Sequence, residues 1–455
     1  MNDPEKKQLD ELLGRMERME IKGVSIDSRN IKEGELFVAL KGDRFDGHDF
    51  VRDAIKKGAW GALVDRSALE LRYESLGGIK NILAVEDTLL SLQEMALMHR
   101  KKFEVPFAGI TGSNGKTTTK EMLACILRRK GPVLKNEGNL NNHIGVPLTL
   151  LTLDSGHRAA VIEMGMSALG EIDLLGRLVN PDVGVITNIG PAHLEFLGST
   201  DTVAEAKAEL LANLKPGGTA VLNADDRYFD LLRSRWSGKV ITYGVDRKAD
   251  VTASGIRQEK DSTDFTLTCG DEQAKVRLQA VGRHNISNAL AAAAAATALG
   301  LPLEAVRDGL QEFAPVAMRS EIKVLHGRTV LADCYNANPG SVRAALETLV
   351  TLRPGARSVA VLGDMLELGD AGPGEHREAG RIAARLGVYA VIAFGTLARH
   401  ILEGAAAEGM PKGSLFTAAS HREAAELLRA HSRNGDAVLV KGSRGMKMEK
   451  ILEEF

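Results

Sequence analysis

The stretch Phe107-Ala-Gly-Ile-Thr-Gly-Ser-Asn-Gly-Lys-Thr-Thr-Thr119 constrains this chain more than any other. An apolar run from Val105 to Ile110 enters a glycine-rich turn, and a helical apolar pattern (Met122, Leu123, Ile126, Leu127) leaves it. Gly112 and Gly115 let backbone N–H groups around Ser113 and Asn114 close on an anion, and the helix start adds partial positive charge. Lys116 is placed to reach terminal phosphates, Thr117 offers a hydroxyl to a magnesium ion, and Thr118 follows in the first turn. The spacing departs from the usual phosphate loop, because Ile110 stands where its leading glycine belongs and the glycine is Gly112. A chance Gly-Lys-Thr in an ordinary turn is the alternative, and the strand-to-helix context weighs against it. A nucleoside triphosphate site is the expectation.

The chain has 455 residues, room for about three domains at roughly 150 residues each. Its net charge of −2 gives no support for a nucleic-acid or membrane-surface partner. Cys125, Cys269 and Cys334 are odd in number and lack metal-ligand spacing, which fits reduced thiols. The first residues are charged and show no signal-peptide core. The alanine-rich run from Asn288 to Leu303 carries Gly300 and Pro302 and reads as a buried helix rather than a membrane span. A cytoplasmic monomer without stable membrane insertion is expected.

Strand and helix patterns alternate along the chain, which predicts an α/β protein of three domains. The first, 1–102, is a small α/β unit with short strands broken by Gly and Asp turns within Gly23 to Arg29 and Gly34 to His48, and a helix from Thr88 to Arg100. Its turns gather Ser28, Arg29, Lys41, Arg44 and His48, which either bind a phosphorylated ligand or are ordinary solvated loop residues. The second, 103–315, should be a mostly parallel sheet with strands near 105–110, 159–163, 183–188 and 219–223. The third, 316–455, is a second open α/β domain of Rossmann-like type, with strands near 330–334, 358–362, 390–394 and 437–441. In open parallel sheets ligands collect beyond the carboxyl ends of the strands. Glu163 closes one such strand and suits a hard cation, with a structural carboxylate as the alternative. His193 follows another, where a lone histidine is more often structural. Asp333, the loop Gly363 to Gly369, and Lys441 with Arg444 lie after strands of the third domain.

Lys207 sits oddly. Val203, Leu210, Leu211 and Leu214 form one helical face at about 100° per residue, and Lys207 falls in its middle. Such a lysine must snorkel, pair, lose its charge or be chemically altered. A neutral amine that adds carbon dioxide becomes a carbamate, an oxygen ligand. Farther on, Asn285 or Asn288 is placed to cap the alanine-rich helix, or to meet both edges of an adenine.

In the order phosphate loop, Glu163, His193, Lys207, His284-Asn-x-x-Asn288, Arg319 and Asp333, the chain resembles the Mur ligase family of ATP-dependent amide-forming enzymes. The altered glycine placement is that family's own. Gly23 to Arg29, Leu36 to His48, Asn139-Leu-Asn-Asn142, Asp333 to Pro339 and Leu362 to Gly369 are similar to the branch that adds D-alanyl-D-alanine, and the Asp-x-Pro-Arg signature of diaminopimelate-adding relatives is absent. The resemblance implies ATP, magnesium (or manganese), UDP-N-acetylmuramoyl-tripeptide and D-alanyl-D-alanine as ligands. It implies that Lys116, His193 and a carbamylated Lys207 serve catalysis, and that Thr117, Glu163, His193 and Lys207 hold metal. Asn288, Arg319 and Asp333 would meet adenine, phosphates and ribose. Ser28, Arg29, Asn139, Asn142 and Asn336 would face the muramoyl peptide and its nucleotide, and Lys441 and Arg444 the dipeptide carboxylate. The alternatives are a Mur-type ligase for another amino acid and a non-ligating phosphate-loop protein. No Asn-Lys-x-Asp guanine signature is present.

Overall fold

Three sheets follow one another along the chain, and each carries its polar loops at the carboxyl ends of parallel strands. The structure, a computed structural model, describes residues 3–76 and 78–455. The first sheet is all parallel, in the order Gly23–Ser25, Glu35–Val38, Gly61–Asp65, Ile82–Val85. Helix Thr88–Arg100 closes this part of the chain. Asp87 caps it by accepting the Leu90 N–H at 2.8 Å, satisfying a backbone donor that the helix leaves unpaired. Its last turn docks on the next domain: His99 Nε2 donates to the Leu153 carbonyl and Arg100 Nε to that of Val179, both at 2.8 Å. The Arg100 guanidinium also lies 4.0 Å from the centre of the Phe107 ring. Leu92 and Met95 thus share one apolar core with Val146 and Leu150.

The central sheet has nine strands. From one edge they run Glu272–Leu278, Thr263–Cys269, Val251–Gln258, Lys239–Gly244, Thr219–Asn223, Val183–Ile186, Phe107–Thr111, Ala159–Glu163 and Val133–Lys135. Seven of these make the parallel part from Val251–Gln258 to Val133–Lys135; four lie where the sequence pattern puts strands, and Val133–Lys135 and Lys239–Gly244 are additions to it. The antiparallel ribbon 251–278 at the edge was not anticipated; it is a hairpin pair in which Phe265 and Leu267 alternate inward. Strand Phe107–Thr111 marks the reversal of strand order, because the chain first adds strands on one side of it and then on the other. A crevice opens above such a switch point, and the phosphate loop occupies it.

The alanine-rich helix runs Arg283–Ala298, and Ala289 to Ala296 are fully buried. Neither asparagine caps it, which corrects one expectation. The chain turns into the helix at Gly282 (φ +89°), so both asparagines fall inside, and Asn285 Nδ2 instead donates back to the Val281 carbonyl at 2.8 Å.

The last sheet runs Glu321–Leu325, Arg328–Asp333, Ala437–Lys441, Ser358–Gly363, Ala390–Phe394, Leu415–Ala418, parallel except for its first pair. Asp333 and Lys441 are register partners, as are Leu362 and Lys441, so three polar loops meet at one end. Beside it, helices Gly372–Arg385 and Arg399–Ala407 cross through glycines. A Cβ on Gly380 would lie 1.8 Å from the Ile401 carbonyl oxygen, and one on Gly404 1.9 Å from that of Arg377. Gly404→Ala should therefore push the helices apart and destabilise the protein by about 3 kcal/mol, more than the roughly 1 kcal/mol that helix propensity returns. Chemical denaturation measures this, and an unchanged midpoint would show that the crossing tolerates a methyl group.

Candidate active site

A cleft of about 910 Å³ lies between the central and C-terminal domains. Its floor is the phosphate loop, where Gly112 (φ +146°) and Gly115 (φ +81°) adopt backbone that L side chains rarely take. The segment after Val183–Ile186 holds the loop in place. Thr187 Oγ1 donates to the Asn114 carbonyl at 2.6 Å, the Asn114 N–H donates to Asn188 Oδ1 at 3.0 Å, and Ser113 Oγ pairs with Gly190. Lys116 Nζ bends back to the Gly112 carbonyl at 2.8 Å. Burial pushes its pKa down, Glu163 pulls it back up, and Arg319 adds to the lowering.

Thr117 Oγ1 donates to Glu163 Oε2 at 2.8 Å, so the hydroxyl and carboxylate proposed to share an ion already meet. Glu163 is held by residues to which the sequence analysis assigns no role. Asn141 Nδ2 donates to its Oε1 at 2.9 Å, and Asn136 brackets its backbone, accepting the Glu163 N–H and donating to the Glu163 carbonyl. Lys120, fully buried, donates to the Asn136 carbonyl at 2.6 Å and lies 3.9 Å from Glu163 Oε2. Its position one helical turn after Lys116 was the available signal.

His193, a non-glycine residue at φ +57°, lines the cleft and meets Glu367 Oε2 at 2.6 Å through Nδ1. That hydrogen bond holds the Glu367 carboxyl below its ordinary pKa. Lys207 lies in helix Thr200–Ala212, 1% exposed. No carboxylate pairs with it among the described residues, and burial together with the Lys116 ammonium pushes its pKa well down. It faces neither open water nor an anion, so snorkelling does not describe it.

Across the cleft, Arg319, Asp333, Asn336 and Lys441 form the far wall, while Asn288 lines it from the central domain, against Gly115. The Arg319 guanidinium stacks 3.8 Å over the Tyr335 ring. Asp333 accepts the Ser320 N–H at 3.0 Å and the Lys441 ammonium at 2.5 Å, and Lys441 also donates to the Asn336 carbonyl at 2.9 Å. Lys441 is thus deeply buried and already paired. Asn338 Nδ2 donates to Asn114 Oδ1 at 2.8 Å, tying the phosphate loop to the opposite domain. Asn139 and Asn142 also line the cleft, although Asn142 Oδ1 accepts the Gly145 N–H at 2.9 Å.

Several expected residues stand apart. Gly112 and Lys207 lie beneath the cleft surface, and Arg444 is outside it, paired with Glu449. Ser28 and Arg29 belong to the N-terminal domain, where Arg29 pairs with Asp27 at 2.9 Å. His48 there is buried, bound to Asp46 through Nδ1 and accepting the Asp65 N–H on Nε2, which is a structural arrangement. Burial disfavours the thiolate at each cysteine, pushing Cys334 up to about 12 and Cys269 to about 11 and raising Cys125.

Comparison with known proteins places this architecture. The chain is 38% identical over 440 residues to the UDP-N-acetylmuramoyl-tripeptide–D-alanyl-D-alanine ligase of Bacillus subtilis, covering 96% of this chain and 94% of the relative. The chain belongs to the Mur ligase family. Models of the Mur ligase family catalytic domain, the Mur ligase middle domain and the Mur ligase glutamate ligase domain match residues 20–100, 110–296 and 318–444. The crystal structure of MurF from Acinetobacter baumannii superposes with a TM-score of 0.87 at 36% identity, over 95% of this chain and 93% of that one. MurF ligase from Thermotoga maritima, solved in complex with ADP, gives 0.84 at 29% identity, over 95% and 96%. No helix among the described residues is long and apolar enough to cross a membrane.

Proposed function

We propose that this Mur ligase joins D-alanyl-D-alanine to UDP-N-acetylmuramoyl-tripeptide at the expense of ATP, giving the pentapeptide precursor of peptidoglycan, and that it works as a cytoplasmic monomer. One observation carries the reading. The phosphate loop and Glu163 face Arg319, Asp333 and Asn336 across a single interdomain cleft, in a chain that matches ligases of this kind over nearly its full length.

The tripeptide's terminal carboxylate attacks the γ-phosphorus of ATP; the bond to the β–γ bridging oxygen breaks, ADP leaves, and an acyl phosphate forms. The amine of D-alanyl-D-alanine then attacks the acyl carbon and loses a proton, and inorganic phosphate departs from the tetrahedral intermediate. Two anions must meet in the first step, so positioning and charge neutralisation dominate. Lys116 and Arg319 supply fixed positive charge on the two sides of the phosphates. Asn288 is set to meet adenine and Asp333 the ribose, its orientation fixed by Lys441 and the Ser320 N–H. Asn139, Asn142 and Asn336 face the peptide substrate, and Ser28 and Arg29 its nucleotide end.

The donors present suit magnesium, or manganese: the Thr117 hydroxyl and Glu163 carboxylate are hard oxygens in contact, beside the phosphate loop. Such an ion, when bound, neutralises phosphate charge. His193 and Lys207 would serve a second one. The neutral Lys207 amine adds carbon dioxide and loses a proton, which converts a buried, unpaired nitrogen into a carboxylate ligand.

The product tests the reading. Incubation with ATP, magnesium and both substrates should yield a species whose mass equals their sum less one water. A different amine accepted in place of the dipeptide would keep the family and change the substrate. In the loop itself, a Cβ on Gly115 would lie 2.1 Å from Asn288 Oδ1. Gly115→Ala, strained also by its positive φ, should weaken ATP binding at least about tenfold; titration with a fluorescent nucleotide analogue measures it, and wild-type affinity would contradict the assigned loop.

A further inference from the structure

The loop from Gly363 to Gly369 carries one carboxylate that the mechanism above leaves unused. Glu367, in the C-terminal domain, accepts His193 Nδ1 at 2.6 Å, and its carbonyl accepts the Glu195 N–H at 3.1 Å. Both partners hold backbone that non-glycine residues avoid, with φ +57° at His193 and +63° at Glu367. Such backbone persists only where its surroundings impose it.

Those surroundings are visible on both sides. His376, fully buried, donates from Nδ1 to the Gly372 carbonyl and accepts the Met365 N–H on Nε2, at 2.7 and 2.9 Å. Ser443 Oγ accepts the Leu366 N–H at 2.9 Å, and Asp364 accepts the N–H groups of Thr396 and Ala398. Opposite, Leu194 packs against the apolar core of the C-terminal domain.

An ionised carboxylate can only accept, so it fixes the proton of a neutral His193 on Nδ1 and leaves Nε2 with the free lone pair. We infer that Glu367 is a positioning residue, which sets the tautomer and ring orientation of His193 from across the domain boundary. His193 is then ready as a ligand only when the two domains are together. Domain approach and completion of the metal-binding side become one event. This rests on the role given to His193 above.

The test compares the full-length wild type with E367A and E367Q. Long-range ¹⁵N–¹H spectra of histidine-labelled protein, recorded about two units above the ordinary imidazole pKa and assigned with H193Q, read the tautomer directly. Wild type and E367Q, whose amide oxygen still accepts, should show His193 protonated on Nδ1, and E367A should show mixed tautomers. Manganese binding, followed by electron paramagnetic resonance with a non-hydrolysable ATP analogue, should weaken roughly 10–100-fold in E367A and less in E367Q. If E367A does not fold, E367D, one methylene short of contact, carries the same expectation. An Nδ1 proton that persists in the shortened variant overturns the inference. So does a tautomer change with unaltered manganese binding, which reduces Glu367 to a domain latch. Neither readout uses peptide substrates, so a wild type that fails to ligate would refute the proposed reaction separately.

Discussion

Lys207→Ala should lower kcat by roughly a hundred- to a thousandfold, the scale of removing one preorganised electrostatic group from an active site, while leaving the fold intact. The reason is the peculiar situation of this side chain. It is enclosed by an apolar helix face, pairs with no carboxylate among the described residues, and has the Lys116 ammonium as its charged neighbour. A cation held there costs stability, and a carbamate made there gains a use. Short carboxylic acids should restore part of the activity to the alanine variant by occupying the vacated space, and restoration should not depend on bicarbonate. Full activity in the variant would refute the carbamate. Its pH signature can be read in carbon-dioxide-free buffer. The folded-state pKa of Lys207 is depressed, so between that value and the ordinary lysine pKa the unfolded chain binds the extra proton, and wild-type stability rises with pH through that window. Lys207→Met should be more stable than wild type at low pH, and its advantage should shrink as pH rises. A constant advantage would mean that the amine titrates normally.

Glu163→Gln is expected to cost a similar factor for a different reason. The amide keeps the length of the side chain and can still meet Thr117 and Asn141, which now lie 2.8 and 2.9 Å from the carboxylate oxygens. What it loses is the charge that a hard divalent cation requires. Turnover should fall roughly a hundredfold at a magnesium concentration saturating for wild type, and part of the loss should return as magnesium is raised. Melting temperature should move little, since the buried Lys120 ammonium keeps its hydrogen bond to the Asn136 carbonyl and its contact with Glu121. A variant with wild-type magnesium dependence would remove Glu163 from the metal site.

Much of this was legible in the residues because the signals were local. Apolar runs ending in glycine or a carboxylate mark Phe107–Thr111 and Ala159–Glu163, and the helix Thr88–Arg100 falls where the sequence places it. The ribbon at 251–278 escaped because its strands are half-exposed and mix threonine and other polar residues with few large apolar ones, although the Gly270-Asp271 turn between alternating residues was a usable hairpin signal. Asn285 and Asn288 misled because either is a good cap residue, and only the φ of Gly282 shows where the helix begins. The supports of the site carried weaker signals for another reason. Lys120, Asn136 and Asn141 act through Glu163, and Glu367 meets His193 across 174 residues of chain. Contacts between domains leave no periodicity to read. Lys207 was the informative exception, since a lysine on an apolar face announces itself in sequence.

The most direct measurement is phosphate release from ATP and magnesium, with UDP-N-acetylmuramoyl-tripeptide and D-alanyl-D-alanine supplied singly and together. The account predicts little release with either alone and, with both, one phosphate for each pentapeptide formed. Release at the same rate with neither substrate would contradict it, and would leave a nucleotide hydrolase in place of a ligase.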